Sequence, residues 1–246
     1  MGQRNIKLTI AYDGTAYHGF QRQENALAIQ QILEQRLASL FGHPLTLHGA
    51  ARTDTGVHAK GQVVNFHTTG VIPVSRIALA SRGLLPPDIV IIAAEEVDPA
   101  FHARINAKGK EYRYRIYSGQ TANPFLRNYA WHVRDNLDIV AMNEAAQTIV
   151  GTHDFSAFRA AGSIQTHPVR TMYSASVSEV GEIIQFCVTG NGFLYHMVRN
   201  FMGTLVEIGR GRRPVSDMKA VLARKDRFLA GATAPPQGLY LQKVLY

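Results

Sequence analysis

The chain has 246 residues, enough for one or two packed units. Apolar residues make up 46% and charged residues 18%, with no long charge block or low-complexity tract, which excludes a mainly disordered chain. Lys and Arg number 26 against 18 Asp and Glu, and the resulting charge of +8 favours a polyanion such as nucleic acid over an acidic protein as partner.

The opening MGQRNIKLTI has no apolar core of signal-peptide length, and Ile6 stands where an N-myristoylation signal needs Ser or Thr. Ile6, Leu8, Ile10 and Tyr12 alternate, which predicts a half-buried strand, and Ile29, Ile32, Leu33, Leu37, Leu40 and Phe41 recur at helical spacing. Strands over 45–50 and 62–67 follow, then a helix over 75–83 and an apolar strand over 89–97. Residues 89–94 form the longest purely aliphatic run, far too short to span a bilayer, so no membrane attachment is expected. The polar, basic stretch 102–110 is the expected domain junction. It separates an N-terminal half, 1–104, from a C-terminal half, 105–246.

The second half reads as a strand over 112–117, a helix over 139–150, strands near 170–180 and 182–189, and an amphipathic segment over 193–208. A helix from Ser216 and a strand over 239–246 complete it. The lone Cys187 excludes an internal disulfide and every multi-cysteine zinc pattern, and it fits a reducing cytoplasm best. Several adjacent strands have no helix between them, so an α+β chain with mainly antiparallel pairing is expected, not a doubly wound parallel sheet.

Ten histidines raise the question of a metal, yet no pair forms HExxH and the rest are scattered, so no metal site is expected. GRGRRP (209–214) lacks the lysine and hydroxyl of a P-loop, and GNGFLY (190–195) lacks the third glycine of a dinucleotide fingerprint. No cofactor is therefore expected.

Three segments carry chemistry. In GAARTDTGVH (49–58), Asp54 follows Arg52 by two residues and precedes Gly56 by two. Asp and Gly are favoured in surface turns, and a surface turn is one reading. The other is a working carboxylate, and a cation beside it favours a nucleophile or base over a proton donor. In KGKEYRYRIY (108–117) a strand puts Tyr112, Tyr114 and Ile116 on one face and Arg113, Arg115 and Tyr117 on the other. That pattern suits stacking on bases and pairing with phosphates, or equally an aromatic core face with a solvated basic face. In FLYHMVRNFMGTLVEIGRGRR (193–213), Leu194, Met197, Val198, Phe201, Leu205 and Ile208 form a helical core stripe with Arg199 beside it. Arg210, Arg212 and Arg213 read as a solvated phosphate-contacting cluster.

ARTDTGVHAKGQVVNF closely resembles the signature segment of the TruA-type tRNA pseudouridine synthases, in which such a turn carries the catalytic aspartate. IAYDGTAYHGFQRQ, KGKEYRYRIY, GTHDFSAF, GNGFLYHMVRNFMG and PPQGLYLQKVLY resemble further segments of that family, in family order over nearly the whole chain. Ala51, where the family often has glycine, and Thr55, where alanine is common, are departures that leave the acid and its arginine in place.

The resemblance implies a pseudouridine synthase fold: two similar halves sharing a mostly antiparallel mixed sheet flanked by helices, with the active cleft between them. It implies a homodimer that isomerises uridine to pseudouridine at positions 38 to 40 of the tRNA anticodon stem-loop, without cofactor or metal. Carried over, Asp54 is the nucleophile, Tyr112 the ring against the uracil, and Arg52 the side chain that holds the nucleotide out of its stack. Arg199 is the partner that keeps Asp54 charged. A non-catalytic tRNA-binding module is the alternative, while a metal-dependent nuclease is disfavoured because Asp54 has no second carboxylate near it in sequence.

Overall fold

The computed structural model describes residues 2–160 and 167–246. The chain forms two compact units, one running to Lys108 and including Leu241–Tyr246, the other comprising Gly109–Tyr240.

In the first unit, the alternating apolar residues near the N-terminus form β1 (Arg4–Tyr12). It pairs antiparallel with β3 (His58–Thr68) on one side and β4 (Ile89–Val97) on the other, and the two-residue β2 (His48–Gly49) adds to β3. Ile6 and Leu8 stand opposite Phe66 and Val64, and all four are fully buried. The helical stripe becomes α1 (Ile29–Phe41), which buries Ile29, Leu33, Leu37 and Phe41. It ends where Gly42 takes a positive φ of 77° and returns its amide to the Ala38 carbonyl. The Phe41 ring meets Phe66 edge-on at 5.2 Å, fixing the helix end to β3. A second helix, α2 (Val74–Ser81), packs on β4.

The strand expected over 45–50 is realised only as β2. Leu47 gives its amide to the Glu34 carboxylate at 3.0 Å, and its carbonyl accepts from Gln30 at 3.1 Å, so side chains of α1 take the groups a longer ladder would have used. Glu34 is itself buried and ion-paired with Arg22.

The second unit is built on β5 (Gly109–Ser118), β7 (Gly151–Asp154), β8 (Val169–Val180) and β9 (Ile183–Gly190), paired antiparallel in the order β5-β9-β8-β7. The short β6 (Trp131–Val133) runs parallel to β5. Pairing is thus mixed and mostly antiparallel, as expected for an α+β chain. Helix α3 (Ile139–Gln147) packs on β8 and on α4 (Met197–Gly209), and α5 (Ser216–Arg224) packs on α3. Phe201 of α4 is the hub of this core, with edge-on contacts to Phe155, Phe158 and Phe186 at 5.6, 4.7 and 6.5 Å. Residues 193–196, expected to be helical, instead lead into α4, because His196 adopts a left-handed φ of 58° at its start.

The last strand is β10 (Leu239–Leu245). Its closing residues belong to the first unit: the Lys108 amide donates to the Leu245 carbonyl at 2.8 Å, and the Tyr246 hydroxyl donates to the Ala103 carbonyl at 2.7 Å. Among the described residues no helix is long and apolar enough to cross a membrane.

Candidate active site

Asp54 occupies the first position of a tight turn. The Val57 amide donates to the Asp54 carbonyl at 3.1 Å, and Gly56, in the third position, has φ 76°, a conformation open to glycine at little cost. Asp54 is half-buried and Arg52 exposed, with the buried Thr53 between them. The approach to the turn is fixed by Gln62, fully buried on β3. Its side-chain amide accepts from the Ala51 amide at 3.2 Å and donates to the Ala51 carbonyl at 2.7 Å, replacing a missing ladder pair. Gln62 is the glutamine of the GQV motif.

A second segment, the loop over 13–20, covers the backbone of this turn. The Phe20 amide donates to the Thr53 carbonyl at 3.1 Å and the Gly56 amide to the Tyr17 carbonyl at 3.2 Å. Contact is so close that a Cβ at Gly14 would lie 2.0 Å from the Val57 carbonyl oxygen, and one at Gly19 2.5 Å from that of Thr53. Gly19 also has φ 86°. The Tyr12 hydroxyl shares a 2.7 Å hydrogen bond with Thr53 Oγ1, and burial pushes that phenol well above its usual range, so it stays neutral. The Tyr17 hydroxyl donates to Asp88 Oδ1 at 2.7 Å, tying the loop to the start of β4. Gly14, Tyr17, Gly19 and Gln62 were not among the site residues expected from sequence. The signal was present in the two glycines of DGTAYHG, which mark either end of a close backbone approach.

In the second unit, Tyr112 and Tyr114 point to the buried face of β5, as the alternation predicts. Tyr112 is 7% exposed, and its ring meets Phe193 edge-on at 4.8 Å. Tyr114 is fully buried and donates its hydroxyl to the Pro235 carbonyl at 2.6 Å. Burial raises the Tyr114 phenol strongly, against the opposing field of the Arg199 guanidinium. Arg199 lies on α4, which packs on β5. Its Nε donates to the Ala234 carbonyl at 2.7 Å, and the Ala234 amide returns a hydrogen bond to the Arg199 carbonyl at 3.1 Å. Three motifs thus meet around Tyr114: the aromatic strand, the HMVRN helix start, and the opening of PPQGLY. The neighbouring Asn200 is structural, since it is fully buried, donates to the Phe158 carbonyl at 2.7 Å, and accepts from Arg227 and Thr233.

The cations expected to face phosphates are mostly engaged within the chain. Arg210 pairs with Asp135 at 2.6 Å and Glu207 at 2.9 Å, and Arg213 donates to the Leu229 carbonyl at 2.6 Å. Arg113 donates to Glu111 at 2.9 Å, and Arg115 lies 5.6 Å from the centre of the Tyr240 ring. Arg212 is the more open member of its cluster, with its side chain 58% exposed and 3.6 Å from Glu207.

A family described as tRNA pseudouridine synthase matches residues 8–106 and 145–246. The chain is 48% identical to the tRNA pseudouridine synthase A of Moorella thermoacetica over 98% of its own length and 99% of that protein's. With the proteins of the same name from Acetivibrio thermocellus and Thermoanaerobacter sp. (strain X514), identity is 47% and 45%, over 99% of this chain and the whole of each relative.

Proposed function

Because the chain belongs to the tRNA pseudouridine synthase family, we propose that it isomerises uridine to pseudouridine at positions 38 to 40 of the tRNA anticodon stem-loop, with Asp54 as the nucleophile. The observation that carries this reading is the Asp54 turn itself: a half-buried carboxylate on a turn whose backbone is held from two sides by neighbouring segments.

The reaction breaks the bond from ribose C1′ to uracil N1, turns the base while it stays bound, and joins C1′ to C5. The hydrogen on C5 leaves to solvent and N1 gains a proton. A carboxylate serves by adding to C1′, by adding to the base, or by removing a sugar proton. The target base must leave its stack, at a cost of roughly a few kcal/mol that contacts to an aromatic ring and an inserted side chain offset. We assign those contacts to Tyr112 and Arg52, and the support of the charged carboxylate to Arg199; the family resemblance of their segments supports all three. The protein acts as a homodimer in the cytoplasm, a reading supported by the same resemblance and by its single cysteine.

The test is tritium release from unmodified tRNA carrying uridine labelled at C5, with a chelator present and no nucleotide added. Release at the expected positions, mapped by chemical detection of pseudouridine, bears the proposal out. Binding without release overturns it in favour of a non-catalytic tRNA-binding module. Light scattering of the purified protein measures the dimer.

A further inference from the structure

We infer that His58 is a positioning residue for the Asp54 turn, acting by holding the loop over 13–20 against the turn's backbone; this rests on the synthase reading above. His58 is the first residue of β3, directly after the turn, and is 2% exposed. Its Nδ1 lies 3.1 Å from the Gly14 amide nitrogen and 3.1 Å from Asp13 Oδ1. With a lone pair on Nδ1 the ring accepts from Gly14, and with a proton there it donates to Asp13. In both states it is tied to the start of the loop. Asp13 Oδ1 also accepts from the Thr15 amide at 2.9 Å and the Thr15 hydroxyl at 2.5 Å, so the residues His58 grips are already folded into a compact bend.

The remaining contacts form a closed circuit. From Gly14 the loop runs to Tyr17, whose carbonyl takes the Gly56 amide, and on to Phe20, whose amide takes the Thr53 carbonyl. Those two bonds bracket Asp54. The chain then passes through Val57 to His58, which reaches back to Gly14. Ile6, Leu8, Val64 and Phe66 are paired and buried on β1 and β3, while Tyr17, Phe20 and Val57 of the circuit are buried as well. Releasing His58 therefore loosens the loop and the acid's backbone at some cost in stability, while the pairing of β1 with β3 around Ile6 and Leu8 stays in place. A displaced catalytic group lowers the rate of the chemical step more than it lowers substrate affinity.

The experiment compares wild type, His58→Asn, His58→Phe and Tyr12→Phe in the C5 tritium assay, with kcat and KM measured separately and folding checked by thermal unfolding. Asparagine presents a donor and an acceptor near the place of Nδ1, whereas phenylalanine fills the space with neither. Tyr12→Phe removes only the hydroxyl that grips Thr53. We expect His58→Phe to lose roughly 100-fold in kcat with KM changed less than about twofold, and His58→Asn to recover roughly tenfold of that loss. Tyr12→Phe should show a smaller loss of the same kind, and the kcat of His58→Asn decides the matter if His58→Phe does not fold. Wild-type kcat in the variants, or a loss confined to KM, overturns the role of His58. A wild-type protein that binds tRNA but releases no tritium instead overturns the synthase reading.

Discussion

Arg199 and Ala234 are joined twice, by Nε to the Ala234 carbonyl at 2.7 Å and by the Ala234 amide to the Arg199 carbonyl at 3.1 Å. The first bond spends the inner nitrogen of the guanidinium on orientation and leaves its direction fixed relative to α4. An arginine held this way is a tool with a defined heading, and a lysine cannot copy it because its charge is a point on a flexible stem.

Arg199→Lys and Arg199→Ala should therefore both fold. Loss of the bond to Ala234, which is 1% exposed, should cost about 1–3 kcal/mol in urea unfolding. Turnover should fall further, by roughly 100-fold, if orientation is what the residue supplies. Normal turnover in the lysine variant would remove Arg199 from the site.

Asp54→Asn should keep the turn, since asparagine is as acceptable there as aspartate and the turn's own bond runs through the backbone. Tritium release should drop on the order of 10⁴-fold while tRNA binding, measured by filter retention, stays within about twofold. An active variant would show that the acid is only a turn residue.

Gly203→Ala tests packing away from the acid. A Cβ there would lie 1.7 Å from the Ala232 carbonyl oxygen, so α4 must shift. Overpacking of this kind should cost about 1–3 kcal/mol, read as a lower urea midpoint at unchanged slope.

The pH dependence of stability should carry the mark of His48. Burial, and then the charges of His102 and His67, hold its imidazole below the ordinary value of 6.5, and the His48 and His102 rings are 4.8 Å apart. The unfolded chain then takes up this proton at a higher pH than the folded one, so proton uptake favours unfolding. The stabilising share is present above pH 6.5 and is lost as the pH falls through the folded value. His48→Gln should flatten the acid limb of thermal midpoint against pH; an unchanged limb would clear His48.

Regular periodicity made much of the fold legible. The alternation in β1 and β5 and the stripe of α1 each put a face inward, and Ile6, Leu8, Tyr114 and Leu37 are buried where those patterns put them. Tyr117, on the opposite face of β5, is buried as well, and α4 is buried nearly all round, Asn200 and Thr204 included, which its apolar stripe did not announce. Pieces whose geometry depends on distant partners were not legible. The three residues of β6 are a strand only because they lie beside β5, and β7 begins at a glycine with φ 109° among polar residues. β2 shrank because Glu34, thirteen residues before Leu47, takes its amide. At the candidate site, the sequence pointed to the turn that presents Asp54, since a turn is local. Only the two glycines of DGTAYHG hinted at the loop over 13–20, and the grip of Gln62 was not legible, because hydrogen bonds between separate segments leave no periodic trace.

The return of Leu241–Tyr246 to the first unit bears on how the protein is made. A ribosome delivers the N-terminal residues first, yet the partners of the Ala103 and Lys108 backbone groups follow the whole second unit in the chain. The second unit lies wholly within one stretch of chain and can close as soon as it is synthesised. The first must wait, its seam open, until residues 241–246 arrive behind the second, so the half that carries Asp54 is completed after the other.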